Sequence, residues 1–186
     1  MADFQLETDR LVLRDWRSET DWDEFFRHTN TPAVMRWLGG VLTPEGVIAQ
    51  RARVEACRAR NGHCFWAVER KEDGAILGFC GLKRTDAPDC AALGQFEIGW
   101  RLREDAWGQG YAKEAAAASL DAGFGQFGAE EIIALTVIGN SASWGLMERL
   151  GMRRREDLDF VDRRIDAPFR DTIVYSIDAA GWRAAR

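Results

Sequence analysis

The chain has 186 residues, enough for one domain with a substantial core and too few for two of ordinary size. Hydrophobic residues make up 46% and charged residues 30%, the balance of an ordinary globular protein, and no apolar run approaches the length that crosses a bilayer. A formal net charge of −5 argues against nucleic acid as the main partner and suits a cationic or amine-bearing one.

The opening "MADFQLETDR" carries acidic residues and no apolar stretch, so it does not read as a secretory signal and a cytoplasmic location is expected. Four cysteines, Cys57, Cys64, Cys80 and Cys90, fall at irregular spacings with only His28 and His63 to complete a metal site. Reduced thiols and no bound metal are the expectation.

"FQLETDRLVLRDW" alternates apolar and polar around Leu11 and Leu13 and suits a first strand. Ser18 and Thr20 then precede "DWDEFFRHTN", a helix start with Asp21 and Glu24 in its first turn and Trp22, Phe25 and Phe26 on its buried face. In "LTPEGVIAQRARVEACRARNG", Thr43 caps a second helix, Pro44 takes its first position and Gly62 ends it. "CFWAVERKEDGAILGFCGL" reads as a hairpin, with strands over Cys64 to Glu69 and Ala75 to Leu82 and a turn at Asp73-Gly74. A loop, "KRTDAPDCAA", leads to a strand in "LGQFEIGWRLR".

"YAKEAAAASLDAGFGQF" is a helix by composition, ending near Gly125 or Gly128. "EIIALTVIG" is a buried strand, "SASWGLMERLG" a helix closed by Gly151, "MRRRED" a short strand, and "FRDTIVYSI" the strand expected to close the sheet. The order predicts an α+β fold: a mixed, mostly antiparallel sheet flanked by helices, in a single domain over residues 1–186 with its core at about 6–178.

The junction "WGQGYA" sets two glycines between a strand and a helix. A helix N-terminus offers unpaired N–H groups and a positive dipole end, so it can hold an anion without a charged side chain. Glycines at 108 and 110 let the backbone approach such a ligand. On the glycines alone, a phosphate site and a bare strand-to-helix turn fit equally well. A dinucleotide fingerprint does not fit, because Lys113 stands where its third glycine would be, and no Walker A sequence occurs.

Four stretches together carry a resemblance. "WGQGYA" is similar to the R/Q-x-x-G-x-G/A loop of the GNAT superfamily of N-acetyltransferases, with Trp107 in the R/Q place. "IGWRLREDAWGQGYAKEA" resembles the branch that includes the ribosomal-protein N-terminal (Rim-type) acetyltransferases. "NSASWGLMERLGM" is similar to that branch's N-x-x-S helix and its Gly-Phe pair, with Met152 replacing the Phe, and "LETDRLVLRDWRSETD" and "NTPAVMRWLGG" follow the same style. The resemblance runs from about Leu6 to the end.

It implies the acyl-CoA N-acyltransferase fold and transfer of an acetyl group from acetyl-CoA to a primary amine, with a protein or peptide N-terminal α-amine expected as acceptor. Backbone groups of Trp107, Gly108, Gln109, Gly110, Tyr111, Ala112 and Lys113 would receive the pyrophosphate, and strand backbone at Trp100 and Leu102 the pantetheine amides. Asn140 matches the position that bonds the coenzyme arm.

Glu97, an acid inside an apolar strand, is the candidate general base; an outward-facing ion-paired strand residue is its structural alternative. The tyrosine that many members place on the helix after the Asn motif is here Met147, so Ser143 is the candidate that hydrogen-bonds the departing sulfur. Ser141 is read as a helix cap. Trp37 is a candidate for the acceptor pocket. Two other readings stay open: a polyamine- or aminoglycoside-modifying enzyme with an acidic cleft drawing on Asp86, Asp89, Asp157 or Asp159, and a non-catalytic acyl-CoA sensor. Related folds often dimerise, which makes a homodimer one expectation; neither nucleic acid nor membrane is expected as a partner.

Overall fold

The first apolar alternation folds as two short strands rather than one. In the computed structural model, which describes residues 4–186, β1 (Gln5–Glu7) and β2 (Leu11–Arg14) pair antiparallel. Thr8 makes the turn between them: its N–H donates to the Leu11 carbonyl at 2.9 Å, and its hydroxyl accepts from the Leu11 N–H at 3.0 Å. This is the local bonding by which Thr diverts a chain from a continuous strand.

Helix α1 (Glu19–Thr29) begins where Ser18 accepts from the Asp21 N–H. Helix α2 (Pro44–Asn61) has Thr43 as its cap, accepting from the Gly46 N–H, and ends at Gly62 with φ of 76°. Strands β3 (Phe65–Arg70) and β4 (Ile76–Arg84) form the expected hairpin, with Gly74 at φ of 73° in its turn. Then come β5 (Phe96–Leu102), α3 (Tyr111–Gly125), β6 (Glu131–Val137), α4 (Ser141–Arg149), β7 (Arg153–Arg154), β8 (Phe160–Val161), β9 (Asp171–Asp178) and α5 (Ala179–Ala184). The two-residue β8 and six-residue α5 are too short to leave a periodic trace in the sequence.

Strand order is β1-β2-β3-β4-β5-β6-β9-β7, with β8 also on β9. Every pairing is antiparallel except β5 with β6. The last strand does not close the sheet from its edge, as the sequence led us to expect. β9 lies inside, between β6 and β7, and its run Thr172–Ile177 is buried throughout. A strand buried on both faces needs neighbours on both sides to use all its peptide groups.

The two faces of the sheet differ. On one, Phe96, Ile98 and Leu102 of β5 and Ile132 and Ala134 of β6 meet α3 through Ala115, Ala116 and Leu120. The approach is close: a Cβ on Gly123 would lie 2.6 Å from Ile132 Cδ1 and 2.9 Å from Leu82 Cδ1. On the other face, Trp22 and Phe25 of α1 cover Ala67 and Phe79, with Trp16 stacked on Trp22 at 3.9 Å.

The parallel pair is short. β5 and β6 are in register only from Phe96↔Ile132 to Ile98↔Ala134. Beyond that point β5 stays on β4 as far as Leu102, and β6 stays on β9 as far as Val137. The sheet therefore splits between two strands that each keep their other neighbour, and a wedge opens in the middle of the fold.

Candidate functional site

The wedge has a polar wall made of backbone. Arg103 donates its N–H to the Leu77 carbonyl on β4 at 2.8 Å, so by the two-residue period of a strand the peptide groups of Trp100 and Leu102 face away from β4, into the gap. The Leu102 carbonyl already accepts from the Trp107 indole N–H at 2.9 Å. Trp100 keeps both its N–H and its carbonyl toward the gap without a strand partner. Of the two positions expected to bind amides, Trp100 is the open one, and Leu102 is shared with the loop above it.

That loop leads directly to α3. Gly108 and Gly110 take φ of 71° and 83°, a region closed to most side chains. Gly110 is the N-cap residue and no side chain caps the helix. The first helical bond is from the Glu114 N–H to the Gly110 carbonyl at 3.0 Å, which leaves the N–H groups of Tyr111, Ala112 and Lys113 with no partner inside the helix. The Gln109 side chain turns back to donate to the Asp105 carbonyl at 2.6 Å, so it contributes to the loop's shape.

Arg10 holds this loop from the β1–β2 turn. Its Nη1 donates to the Gln109 carbonyl at 2.9 Å, its Nε to Glu114 at 2.7 Å, and its guanidinium lies 4.4 Å from the centre of the Tyr111 ring. Sequence reasoning missed Arg10 because nothing within ten residues of it refers to a loop a hundred residues later.

The far wall is the β6–α4 turn. Here the structure corrects one expectation: Asn140, not Ser141, is the N-cap residue, and Ser141 is the first residue of the helix. The turn is tight, with the Ser141 N–H on the Gly139 carbonyl at 3.1 Å, and it carries the chain into the helix one residue early. The Asn140 amide makes no capping bond, and the Ser143 hydroxyl, in the first turn, has no side-chain partner among the described residues. Met147 is 1% exposed and belongs to the core against α3, so the place of the family's tyrosine delivers no polar group. Trp37 crosses from the segment between α1 and α2 and lies on this turn: a Cβ on Gly139 would be 2.6 Å from its ring. Phe169 meets Trp37 edge-on at 6.4 Å.

Glu97 is on the opposite face of β5 from α3, together with Gly99 and Arg101. It is 8% exposed and its Oε2 lies 3.2 Å from Lys83 Nζ, while Lys83 also reaches Asp86 at 2.7 Å. Burial pushes the Glu97 carboxyl above its ordinary range, opposed by the Lys83 charge. Lys83 stays protonated, because the carboxylates around it outweigh its own burial. A carboxylate raised in this way is a better proton acceptor than a free one at neutral pH. Beside it, the edge of Phe65 fills the space above Gly99, where a Cβ would meet the ring at 2.9 Å.

The four acids named for an acidic cleft are each in an ion pair. Asp86 is on Lys83, Asp89 on Arg163 at 3.5 Å, Asp157 on Arg155 at 2.7 Å and Asp159 on Arg154. Asp86 shares its cation, Lys83, with Glu97. No group of three metal-ligating side chains occurs among the described residues, and no helix among them is long and apolar enough to cross a membrane.

Comparison with known proteins agrees with this geometry. Residues 10–153 match the family model described as the acetyltransferase (GNAT) domain. YkkB of Bacillus subtilis (strain 168) is 32% identical over 155 residues, covering 81% of this chain and 86% of its own length. The N-acetyltransferase YnaD of the same organism is 30% identical over 150 residues, covering 79% and 81%. Among solved structures, an acetyltransferase from Agrobacterium tumefaciens str. C58 superposes with a TM-score of 0.77 at 22% identity, covering 95% of each chain.

Proposed function

This chain belongs to the GNAT family of acetyltransferases, and on that premise we propose that it transfers an acetyl group from acetyl-CoA to a primary amine, with a peptide or protein N-terminal α-amine as acceptor. The observation that carries the reading is the split between β5 and β6 leading to an uncapped helix N-terminus. An open strand edge suits an arm containing amides, and bare N–H groups at a positive dipole end suit a pyrophosphate. The Trp100 backbone takes the amides, with Asn140 opposite, and the loop from Trp107 to Lys113 takes the phosphates.

Transfer needs a neutral amine, a new N–C bond and departure of the thiolate. A peptide α-amine, with a pKa of about 8, is neutral far more often near pH 7 than a lysine at about 10.4, so it asks less of a base. Glu97 takes the amine proton, directly or through water, and Ser143 hydrogen-bonds the departing sulfur. A second reading, a non-catalytic acyl-CoA sensor, is favoured by one observation, the buried Met147 where a tyrosine would stand.

Purified protein, labelled acetyl-CoA and a mixed panel of N-terminal peptides, polyamines and aminoglycosides, read by mass spectrometry, test the proposal. Label on a peptide α-amine is the expected result. Label on small amines alone would overturn the acceptor class, and coenzyme binding with no label anywhere would favour the sensor.

A further inference from the structure

Arg101 follows Gly99 on the same face of β5, about 7 Å along the strand. It is 5% exposed, and no carboxylate among the described residues contacts it. Its guanidinium lies 4.5 Å from the Phe25 ring centre and 5.4 Å from that of Phe79, and Nη1 touches the Met35 sulfur at 3.0 Å. Its Nε and Nη2 are buried with no hydrogen-bond partner among the described residues.

Those two atoms form one side of the guanidinium fork, the side that grips a carboxylate through two parallel bonds. Elsewhere in this protein the same side does so repeatedly. Arg70 holds Asp73 at 2.9 and 2.6 Å, Arg103 holds Asp105 at 2.5 and 2.7 Å, Arg155 holds Asp157 at 2.9 and 2.7 Å, and Arg164 holds Asp162 at 2.9 and 2.7 Å. Arg101 presents the same fork, buried and without its partner. Burial alone lowers its pKa to about 9, so it remains protonated at neutral pH and is short of an anion.

Resting on the acetyl-transfer reading, we propose that Arg101 is the acceptor's specificity residue: its Nε and Nη2 bind a carboxylate carried by the same molecule that presents the amine. The acceptor is then an α-amino acid, or a peptide with an acidic residue near its N-terminus. The position fits this use. Arg101 shares a strand face with Glu97, and Phe65 lies between them over Gly99, so proton acceptor, aromatic ring and cation follow one another along β5 from its paired stretch into the part that borders the wedge. Met35, an unbranched thioether in the segment that also carries Trp37, sits against the remaining nitrogen, Nη1, and such a side chain repacks readily when its neighbour turns to a ligand.

The test uses acceptors in matched pairs, each α-amino acid or acidic dipeptide against its carboxamide. Binding is read by calorimetry to the protein alone and saturated with coenzyme A, which has no acetyl group and so allows no turnover. At least one carboxylate member should bind about 10- to 100-fold more tightly than its amide, the range of a charge-assisted bidentate contact. Arg101→Met should erase that ratio while leaving coenzyme affinity unchanged. It removes a buried charge that lacks an ionic partner, so it should fold at least as stably as the parent. Arg101→Lys, which keeps charge and loses the fork, should retain only part of the ratio. Equal binding within every pair, no binding of any carboxylate at millimolar concentration, or an undiminished ratio in Arg101→Met would each overturn the proposal. Acetyl transfer is scored separately, so a protein that discriminates carboxylates without transferring acetyl would sink the catalytic reading and leave the assignment of Arg101 standing.

Discussion

The two long helices belong to opposite faces of one sheet and are held by different forces. Helix α3, 15 residues long, buries Tyr111, Ala115, Ala116, Ser119, Leu120, Ala122 and Gly123. Helix α2, at 18 residues the longer, has no buried residue. It is tethered by Arg51 to Glu19, by Arg58 to Asp15 at 2.6 Å, and by Val54 resting on the aromatic cluster of α1. Dispersion and burial fix α3 tightly, at about 1.5–3 kcal/mol for each large apolar side chain. Exposed ion pairs contribute about 0–1 kcal/mol each and are weakened by salt. The helix whose N-terminus is proposed to hold a phosphate is thus the rigidly packed one, and α2 on the other face is loosely held.

Four experiments test that contrast, beginning with the chemistry between the two sides. Glu97→Gln should lower kcat/KM by about 10²–10⁴ while coenzyme affinity, measured by calorimetry, is unchanged. An unaltered rate would remove Glu97 from the mechanism.

Next is the anchor of α1. Arg14 is 5% exposed and bonds Asp21 at 2.7 Å and Glu69 at 2.6 Å. Asp21→Asn leaves that guanidinium one charge short and should cost about 3 kcal/mol at neutral pH by denaturant unfolding. Burial raises the Asp21 carboxyl, but hydrogen bonds from Arg14 and the Arg17 N–H outweigh it and the net shift is downward from 3.8. A carboxyl lowered in the folded state contributes its stability above the unfolded pKa and loses it as pH falls through the folded value. The gap between parent and variant should therefore be constant above about pH 5 and close below about pH 4. A gap that persisted in acid would mean packing rather than charge.

The helices themselves come third. Leu120→Ala in α3 should cost about 2–5 kcal/mol, whereas Ile48→Ala, at a side chain 69% exposed on α2, should stay within about 0.5 kcal/mol. Comparable losses would mean that α2 carries more of the fold than its contacts indicate. The smallest effect separates geometry from binding. Gly110→Ala and Gly62→Ala, at φ of 83° and 76°, should each lose about 1–2 kcal/mol for the left-handed backbone. Only Gly110→Ala should also weaken coenzyme binding, because its Cβ would come within 3.3 Å of Arg10 Nη2 beside the open N–H groups, while Gly62 has empty space around it.

The candidate site was only partly legible in the sequence. Gly108 and Gly110, the strand before them and the helix after them could be read directly, whereas the backbone groups at Trp100 and Tyr111 were named only through the family resemblance. Ser143 was placed on the right helix, but the cap fell on Asn140 instead of Ser141. Glu97 stood out as an acid among apolar neighbours, yet its pairing with Lys83 depends on the β4–β5 register, which matches Lys83 with Glu97. The four acids suggested as a cleft looked alike in sequence, and their separate cation partners became visible only in three dimensions.

What the sequence determined by itself was local: the caps Ser18 and Thr43, the stops and turns at Gly62, Gly74 and Gly110, the alanine-rich helix, and the alternation of the hairpin. These follow from forces acting within a few residues, where a hydrogen bond to a near neighbour or a positive φ settles the conformation. Only the tertiary structure decided where β5 and β6 part, that Arg10 secures the Gln109 carbonyl, that Trp37 lies on Gly139, and that the fork of Arg101 is buried without a carboxylate. Each of these joins positions from about 36 to about 100 residues apart, or concerns a group left unmatched after all such joins are made. No local periodicity records that outcome, because it is fixed by which surfaces meet when the sheet and its two layers of helices close.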